Sequence, residues 1–151
     1  MKVRSLAGAS LLLLSCSITG AAQDRGSWKA ANSSAEAITG DLILGGSRVT
    51  LGFIPFTIAQ IRKLEPAEAA ALFASEDNPG PGFLYRLNIP AAQRFFHKNT
   101  LCGSEDTQWM VTSVTGKRLH VAFFSGATPP VLTFEALNKS TDLCGTFAYA
   151  R

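Results

Sequence analysis

Short segments in which apolar and polar residues alternate constrain the fold of this chain more than any other feature. The clearest example lies between residues 38 and 53, where two alternating runs flank the glycine-rich tripeptide Gly45-Gly46-Ser47. The apolar faces of these runs are Ile38, Gly40, Leu42 and Leu44, and then Val49, Leu51 and Phe53. Because glycine tolerates positive φ in a tight connection, the segment is predicted to form a β-hairpin.

The same alternation recurs along the rest of the chain. It predicts a third strand over 56–64, where Pro55 limits pairing, and further strands over 83–89, 107–115, 118–125 and 143–151. Two other segments favour helix: the alanine-rich residues 65–75 after a helix-starting proline, and a short turn over 90–96. Residues 131–137 fit either a strand or a helix, and residues 24–36 are predicted to be an irregular leader.

These elements predict a mainly β fold. Six or seven short strands with hairpin-like connections are typical of a small antiparallel sandwich or barrel, here with one or two short helices and one disulfide. No linker or low-complexity tract divides residues 23–151, and a chain of this length suits a single domain. We therefore expect one β-rich domain over 23–151.

The first 22 residues have the three parts of a secretory signal. Lys2 and Arg4 precede an apolar run over residues 6–18, and Gly20-Ala21-Ala22 place small residues at the expected cleavage site. A transmembrane helix needs about 20 apolar residues, so this run is too short to be one. The sequence therefore predicts a signal peptide over 1–22 and an exported protein, periplasmic or secreted.

A second processing route is open at the end of this segment. Leu13-Leu14-Ser15-Cys16 resembles a bacterial lipobox, in which the cysteine is lipidated and becomes the first mature residue. Leu14 is bulkier than the residue usually found at its position. Only lipidation at Cys16 would tie the protein to the envelope membrane.

Cys102 and Cys144 are the two cysteines of the predicted domain. In an oxidising compartment such a pair predicts a disulfide, with two free thiols or a metal site as the alternatives. The bridge would close a loop of about 43 residues and stabilise the fold by about 4 kcal/mol. A metal site would need His97 or His120, and neither has the close spacing of zinc ligands. We expect a disulfide, no metal and no cofactor.

The overall charge gives no sign of a nucleic-acid partner. The chain has a net charge of +3, two units of which belong to Lys2 and Arg4, so residues 23–151 carry +1. Nucleic-acid binding needs clustered basic residues. The basic pairs Arg62-Lys63 and Lys117-Arg118 are isolated in the sequence and are predicted to lie on solvated faces or turns.

No catalytic motif occurs in the sequence. The segment from Gly45 to Val49 fails the nucleophile-elbow pattern at its last position, and the glycine-rich turns lack the lysine of a phosphate-binding loop. A hydrolase would have only His97 or His120 as its base, together with a nearby acid. The sequence therefore favours a non-catalytic protein and keeps this hydrolase as an alternative.

Aromatic residues in the predicted strands give the remaining functional indication. Tyr85, Trp109 and Phe124 are candidates for lining a pocket for an apolar ligand, although core packing is their more common role. The leading hypothesis is a binding module for an apolar ligand or an envelope protein. An inhibitor of an extracellular enzyme is a further alternative.

Several phrases of the sequence occur together in a known group of proteins. They are Ala37–Asp41, Leu84-Tyr85-Arg86, Ala122–Gly126 and the closing Leu143-Cys144-Gly145-Thr146-Phe147-Ala148-Tyr149. In these phrases the chain resembles a group of uncharacterised small exported proteins, mostly from proteobacteria. The resemblance implies export and the placement of the two cysteines, and it brings no activity, cofactor or site.

Overall fold

The structure is a computed structural model that describes residues 24–73 and 80–151. The predicted signal peptide over 1–22, with Cys16, lies outside the described residues. Within the described ranges, no helix is long and apolar enough to span a membrane.

Eight antiparallel strands form one closed barrel in which each strand pairs with its neighbours in the sequence and β1 pairs with β8. The strands are β1 (Gly26–Ala30), β2 (Leu42–Leu44), β3 (Arg48–Leu51), β4 (Ile54–Lys63), β5 (Gly82–Ile89), β6 (Thr107–Thr115), β7 (Arg118–Phe124) and β8 (Leu143–Ala150). The prediction of a mainly β fold is confirmed, and the structure selects the barrel over the sandwich. Only two residue pairs, Lys29 with Ala150 and Ala30 with Tyr149, join β1 to β8.

Large apolar side chains fill the inside of the barrel. Every strand contributes to one core cluster, which includes Trp28, Leu42, Val49, Ile58, Tyr85, Met110, Phe123, Phe147 and Tyr149. Phe95 and Leu101, from the connection between β5 and β6, join the same cluster. A small barrel of eight strands has an interior just wide enough for side chains, and here they occupy it.

A small polar network is buried within this apolar interior. The Asp24 carboxyl group accepts hydrogen bonds through Oδ2 from the Tyr85 hydroxyl at 2.6 Å and the Thr112 hydroxyl at 2.7 Å. The Asp24 main-chain oxygen accepts from Trp28 Nε1 at 2.8 Å. Asp24 Oδ1 is buried without a partner among the described residues. Burial, reinforced by the bond to Asp24, raises the pKa of Tyr85 above its ordinary value of 10.0, so the phenol remains a donor.

Two short helices cover part of the outer surface. Helices α1 (Pro66–Leu72) and α2 (Phe134–Lys139) contact each other and pack over the outward residues of β5, β6 and β7. This second core cluster includes Ala69, Phe73, Leu84, Trp109, Val111, Ala122, Phe124 and Leu132. The outer faces of these strands are therefore as apolar as their inner faces.

The disulfide between Cys102 and Cys144 is present, which confirms that prediction. It links the connection between β5 and β6 to the beginning of β8, over a sequence separation of 42 residues.

Several local predictions need correction. The first strand of the predicted hairpin does not include Ile38 and Gly40: Ala35–Thr39 forms a π-helical turn, Gly40 has a φ of +61°, and β2 begins at Leu42. The leader over 24–36 contains β1, a strand whose only large apolar residue is Trp28. The predicted helix over 90–96 is absent; the one helical turn there is Phe96–Lys98, since Phe95 is drawn into the end of the barrel. The ambiguous segment over 131–137 leads into α2, where the Thr133 hydroxyl caps the first turn by accepting from Ala136 N.

Removing the disulfide should weaken the barrel without changing its fold. We expect Cys144→Ser to reduce the free energy of unfolding by about 2–4 kcal/mol, because the open chain gains entropy when it unfolds. Thermal melting of parent and variant under oxidising conditions measures the loss. With a strong reductant both proteins should melt together, and equal melting under oxidising conditions would contradict the prediction.

The buried phenols provide a matched pair for testing the Asp24 network. Tyr85→Phe should cost about 1–3 kcal/mol, because it leaves a buried carboxyl group with a single donor. Tyr149→Phe should cost less, since its partner Thr39 Oγ1 also lies within hydrogen-bond distance of the main-chain oxygens of Ala35 and Gly40. Urea unfolding of both variants measures the difference, and a larger loss for Tyr149→Phe would refute this ranking.

Candidate functional site

The structure does not bring the three predicted ligand-lining residues together. Tyr85 points into the barrel, where it is buried against Asp24. Trp109 and Phe124 are paired across β6 and β7 and point outward, beneath α2. Of the three, Phe124 lines a small depression of about 200 Å³, with Pro129, Pro130 and Val131.

The two histidines lie on different parts of the molecule. His120 is on the outer side of β7, where its ring centroid lies 5.5 Å from that of Phe73. His97 is exposed in the turn between β5 and β6 and makes no side-chain hydrogen bond with another described residue. The described ranges also hold no group of three or more His, Cys, Asp or Glu side chains placed to bind a metal ion.

A cleft of about 830 Å³ runs along the outer side of β1, β2 and β3. Its apolar walls are Ile43, Phe53 and Phe96, which are 52%, 89% and 36% exposed. Its polar walls are Ser27, Lys29, Glu36, Asp41 and Thr50. We call this region the β1–β3 cleft, and its size is that of a typical binding site.

Phe53 occupies an unfavourable backbone conformation at the rim of the cleft. Gly52 and Phe53 form the two-residue connection between β3 and β4, and φ is +53° and +71° at these residues. Two-residue hairpins with positive φ at both central positions favour Asn-Gly, and a bulky residue there is an outlier. Because the Phe53 side chain is exposed, burial within the fold does not offset this strain. Strain of this kind is concentrated at functional sites.

The second loop at the rim is strained as well. His97 and Lys98 have φ of +54° and +62°. Together with Phe53, they are the non-glycine residues with positive φ in the described part of the chain. They follow Phe96, whose ring crosses two glycines of the rim. A Cβ on Gly40 would lie 2.5 Å from Phe96 Cε2, and a Cβ on Gly52 would lie 3.3 Å from Phe96 Cε1. The glycines thus allow Phe96 to form one wall of the cleft.

The lower part of the cleft is formed by Trp28 and Arg151. The Arg151 guanidinium lies 3.9 Å from the centroid of the Trp28 ring, within the range of a cation–π contact. Arg151 Nη1 also donates to the main-chain oxygen of Arg25 at 3.3 Å. This contact covers the edge of the core where β1 and β8 share few backbone bonds.

An ion pair spans the point where β1 leaves β2. Lys29 Nζ lies 2.6 Å from Asp41 Oδ2, and Asp41 Oδ1 accepts from Ala30 N at 3.0 Å. These hydrogen bonds lower the pKa of Asp41 below its ordinary value of 3.8, with Lys29 as the main cause. The carboxylate therefore satisfies the Ala30 N–H beyond the last residue pair between β1 and β2.

Sequence reasoning missed the cleft because its walls come from five separate segments. Phe53 was assigned to the inner face of a hairpin that ends at residue 53, whereas the strand ends at Leu51. One signal was available in Gly52-Phe53-Ile54-Pro55, where a single glycine between two strands indicates a tight turn.

Comparisons with known proteins give no match: no protein-family model, curated protein or solved structure is significantly similar to this chain.

The Asp41 ion pair should give a small, pH-dependent contribution to stability. Since the pKa of Asp41 is lowered on folding, the contribution is complete above the ordinary value of 3.8 and is lost as the pH falls through the lower folded-state value. Asp41→Asn should therefore destabilise the protein at pH 7 by less than about 1 kcal/mol, because the pair is solvent-exposed. Denaturation of parent and variant from pH 7 down to pH 2 measures the gap. A gap that stays constant over this range would contradict the assignment.

Proposed function

We propose that this protein is an exported, non-catalytic binding module that uses the β1–β3 cleft to hold a segment of a partner protein. The observation that carries the proposal is Phe53, an exposed aromatic side chain held in a strained turn at the rim of this cleft. The proposed export rests on the predicted signal peptide, and export would deliver the protein to an oxidising compartment in which disulfides persist. The protein is periplasmic or secreted, with a lipid anchor only if Cys16 is modified.

The filled barrel favours an external site over an internal one. Inward side chains from all eight strands, with Phe95 and Leu101 at one end, occupy the position where some other eight-stranded barrels hold a small ligand. A ligand would then have to bind on the outside, where the apolar surface of the cleft lies.

The shape of the cleft favours a macromolecule over a small apolar ligand. Phe53 projects from a hairpin turn, and a projecting aromatic residue buries most of its surface only when another surface closes over it. Aromatic residues with this exposure are the usual energetic centres of protein interfaces. Lys29, Glu36 and Asp41 around the apolar walls provide the polar rim that such interfaces have. The inhibitor hypothesis is the case in which the partner is an enzyme.

Replacing Phe53 separates binding from stability. Asparagine adopts positive φ more readily than phenylalanine, so Phe53→Asn should leave the free energy of unfolding unchanged or raise it by up to about 1 kcal/mol. The same change should lower affinity for the partner at least about 30-fold, as expected for a central aromatic residue. Ile61→Thr is the matched control, because Ile61 is an exposed apolar residue of β4 outside the cleft.

The experiment begins with crosslinking of the exported protein in its bacterial host, followed by purification of the crosslinked protein and calorimetric titration with each variant. Loss of affinity in Phe53→Asn alone supports the proposal. Equal affinity of parent and Phe53→Asn would refute it. Native mass spectrometry provides the second arm: a small molecule retained by the parent and lost in Phe53→Asn would mean that the cleft is a ligand site.

A further inference from the structure

The two ends of the barrel differ in charge, although the domain is nearly neutral. One end is formed by the start of β1, the turns between β2 and β3 and between β6 and β7, the connection from β4 to β5, and the end of β8. Seven basic residues lie there: Arg25, Arg48, Arg62, Lys63, Lys117, Arg118 and Arg151. The connections at the opposite end carry six carboxyl groups, Glu36, Asp41, Glu105, Asp106, Glu135 and Asp142, together with three cations, Arg94, Lys98 and Lys139.

Hydrogen bonds and strand pairing bring five of the basic residues together on one surface. Arg151 Nη1 donates to Arg25 O, and Arg151 N donates to Lys117 O at 3.1 Å. Arg118 is paired with Ala150, next to Arg151. The Arg25 guanidinium lies beside Gly46, in the turn that leads to Arg48. We call Arg25, Arg48, Lys117, Arg118 and Arg151 the basic patch.

Three side chains of the basic patch are available to bind an anionic surface. Arg48, Lys117 and Arg118 are exposed, and their side chains make no ion pair or hydrogen bond with other described residues. The described carboxyl groups at this end are remote or engaged: Asp24 is buried inside the barrel, while Glu65 and Glu68 adjoin α1, where Glu68 pairs with Arg62. The basic patch therefore presents positive charge to solvent.

We propose that the basic patch docks on the headgroups of an anionic phospholipid membrane. The chain enters the barrel from this end, because Asp24 directly precedes β1. The preceding residues include the apolar run over 6–18 and Cys16, the possible lipidation site. A lipid on Cys16 would be separated from Asp24 by seven residues, which span at most about 25 Å.

Charge and geometry both favour a membrane over a nucleic acid. Each lysine or arginine near an anionic leaflet strengthens binding severalfold, and a cluster of them is the usual signature of lipid-headgroup recognition. Single-stranded nucleic-acid sites add exposed aromatic side chains on which bases stack. Trp28, the aromatic residue beside the patch, is instead buried beneath Arg151. Membrane docking through this end would leave Phe53 and Phe96, at the opposite end, directed away from the bilayer.

The test compares two triple variants with equal loss of charge. Arg48→Gln with Lys117→Gln and Arg118→Gln neutralises the patch, and Arg94→Gln with Lys98→Gln and Lys139→Gln removes three cations from the opposite end. The processed protein from a bacterial host is mixed with phosphatidylcholine vesicles that contain or lack phosphatidylglycerol. The measured quantity is the ratio of the two partition coefficients, which cancels any contribution of a lipid on Cys16.

We expect the parent to prefer anionic vesicles and to lose this preference in high salt, because ions screen exposed charges. The patch variant should lower the ratio by about 100-fold, the scale expected for three cations, while the control variant changes it little. Absence of a preference in the parent, or equal effects of both triple variants, would overturn the proposal. So would a patch variant that loses binding to a short DNA duplex and keeps its vesicle preference.

This proposal does not rest on the proposed function of the cleft, and the two fail separately. Arg48, Lys117 and Arg118 do not line the cleft. Phe53→Asn should keep the full vesicle preference, and the patch variant should keep its affinity for the crosslinked partner.

Discussion

Backbone pairing between β1 and β8 closes the sheet, and the rest of the structure depends on this short contact. β1 is shared between two neighbours: Gly26–Trp28 pairs with β2, and Lys29–Ala30 pairs with β8. Trp28 and the buried Asp24 hold this strand from inside, and Arg151 covers it from outside. Closure gives every strand two neighbours, although β8 pairs with β1 only at Tyr149 and Ala150.

The same closure determines where a partner can bind. Since apolar side chains from every strand fill the barrel, a binding site must lie outside. The β1–β3 cleft forms where β1 departs from β2, and the Asp41 carboxylate supplies the hydrogen bond that a strand would have made to Ala30. Strain at Phe53, His97 and Lys98 is located in the two loops at its rim. Local structure and global fold disagree at these residues, as is usual where a surface serves binding.

Most strands could be predicted from the sequence because apolar and polar residues alternate along them. β6 and the turn at Gly116 were predicted at their observed residues, and β7, β8 and α1 to within a few. β1 was missed since its five residues bury one large side chain, which leaves no alternation to detect. The alternation also placed Tyr85 and Phe124 in strands. It did not show which side chain points into the barrel and which points outward, because the outer faces of β5–β7 are apolar where α1 and α2 cover them.

By itself, the sequence determined the mainly β class and the partnership of Cys102 with Cys144. These follow from local alternation, turn chemistry and the count of cysteines, which need no knowledge of distant contacts. Only the tertiary structure decided that the sheet closes, that Phe53 stands at the rim of a cleft, and that the residues of the basic patch gather at one end of a nearly neutral domain. The physical reason is that an up-and-down barrel places the start of β1, every second connection and the last residue of β8 on the same side. This arrangement is fixed by backbone pairing between residues that are far apart in the sequence.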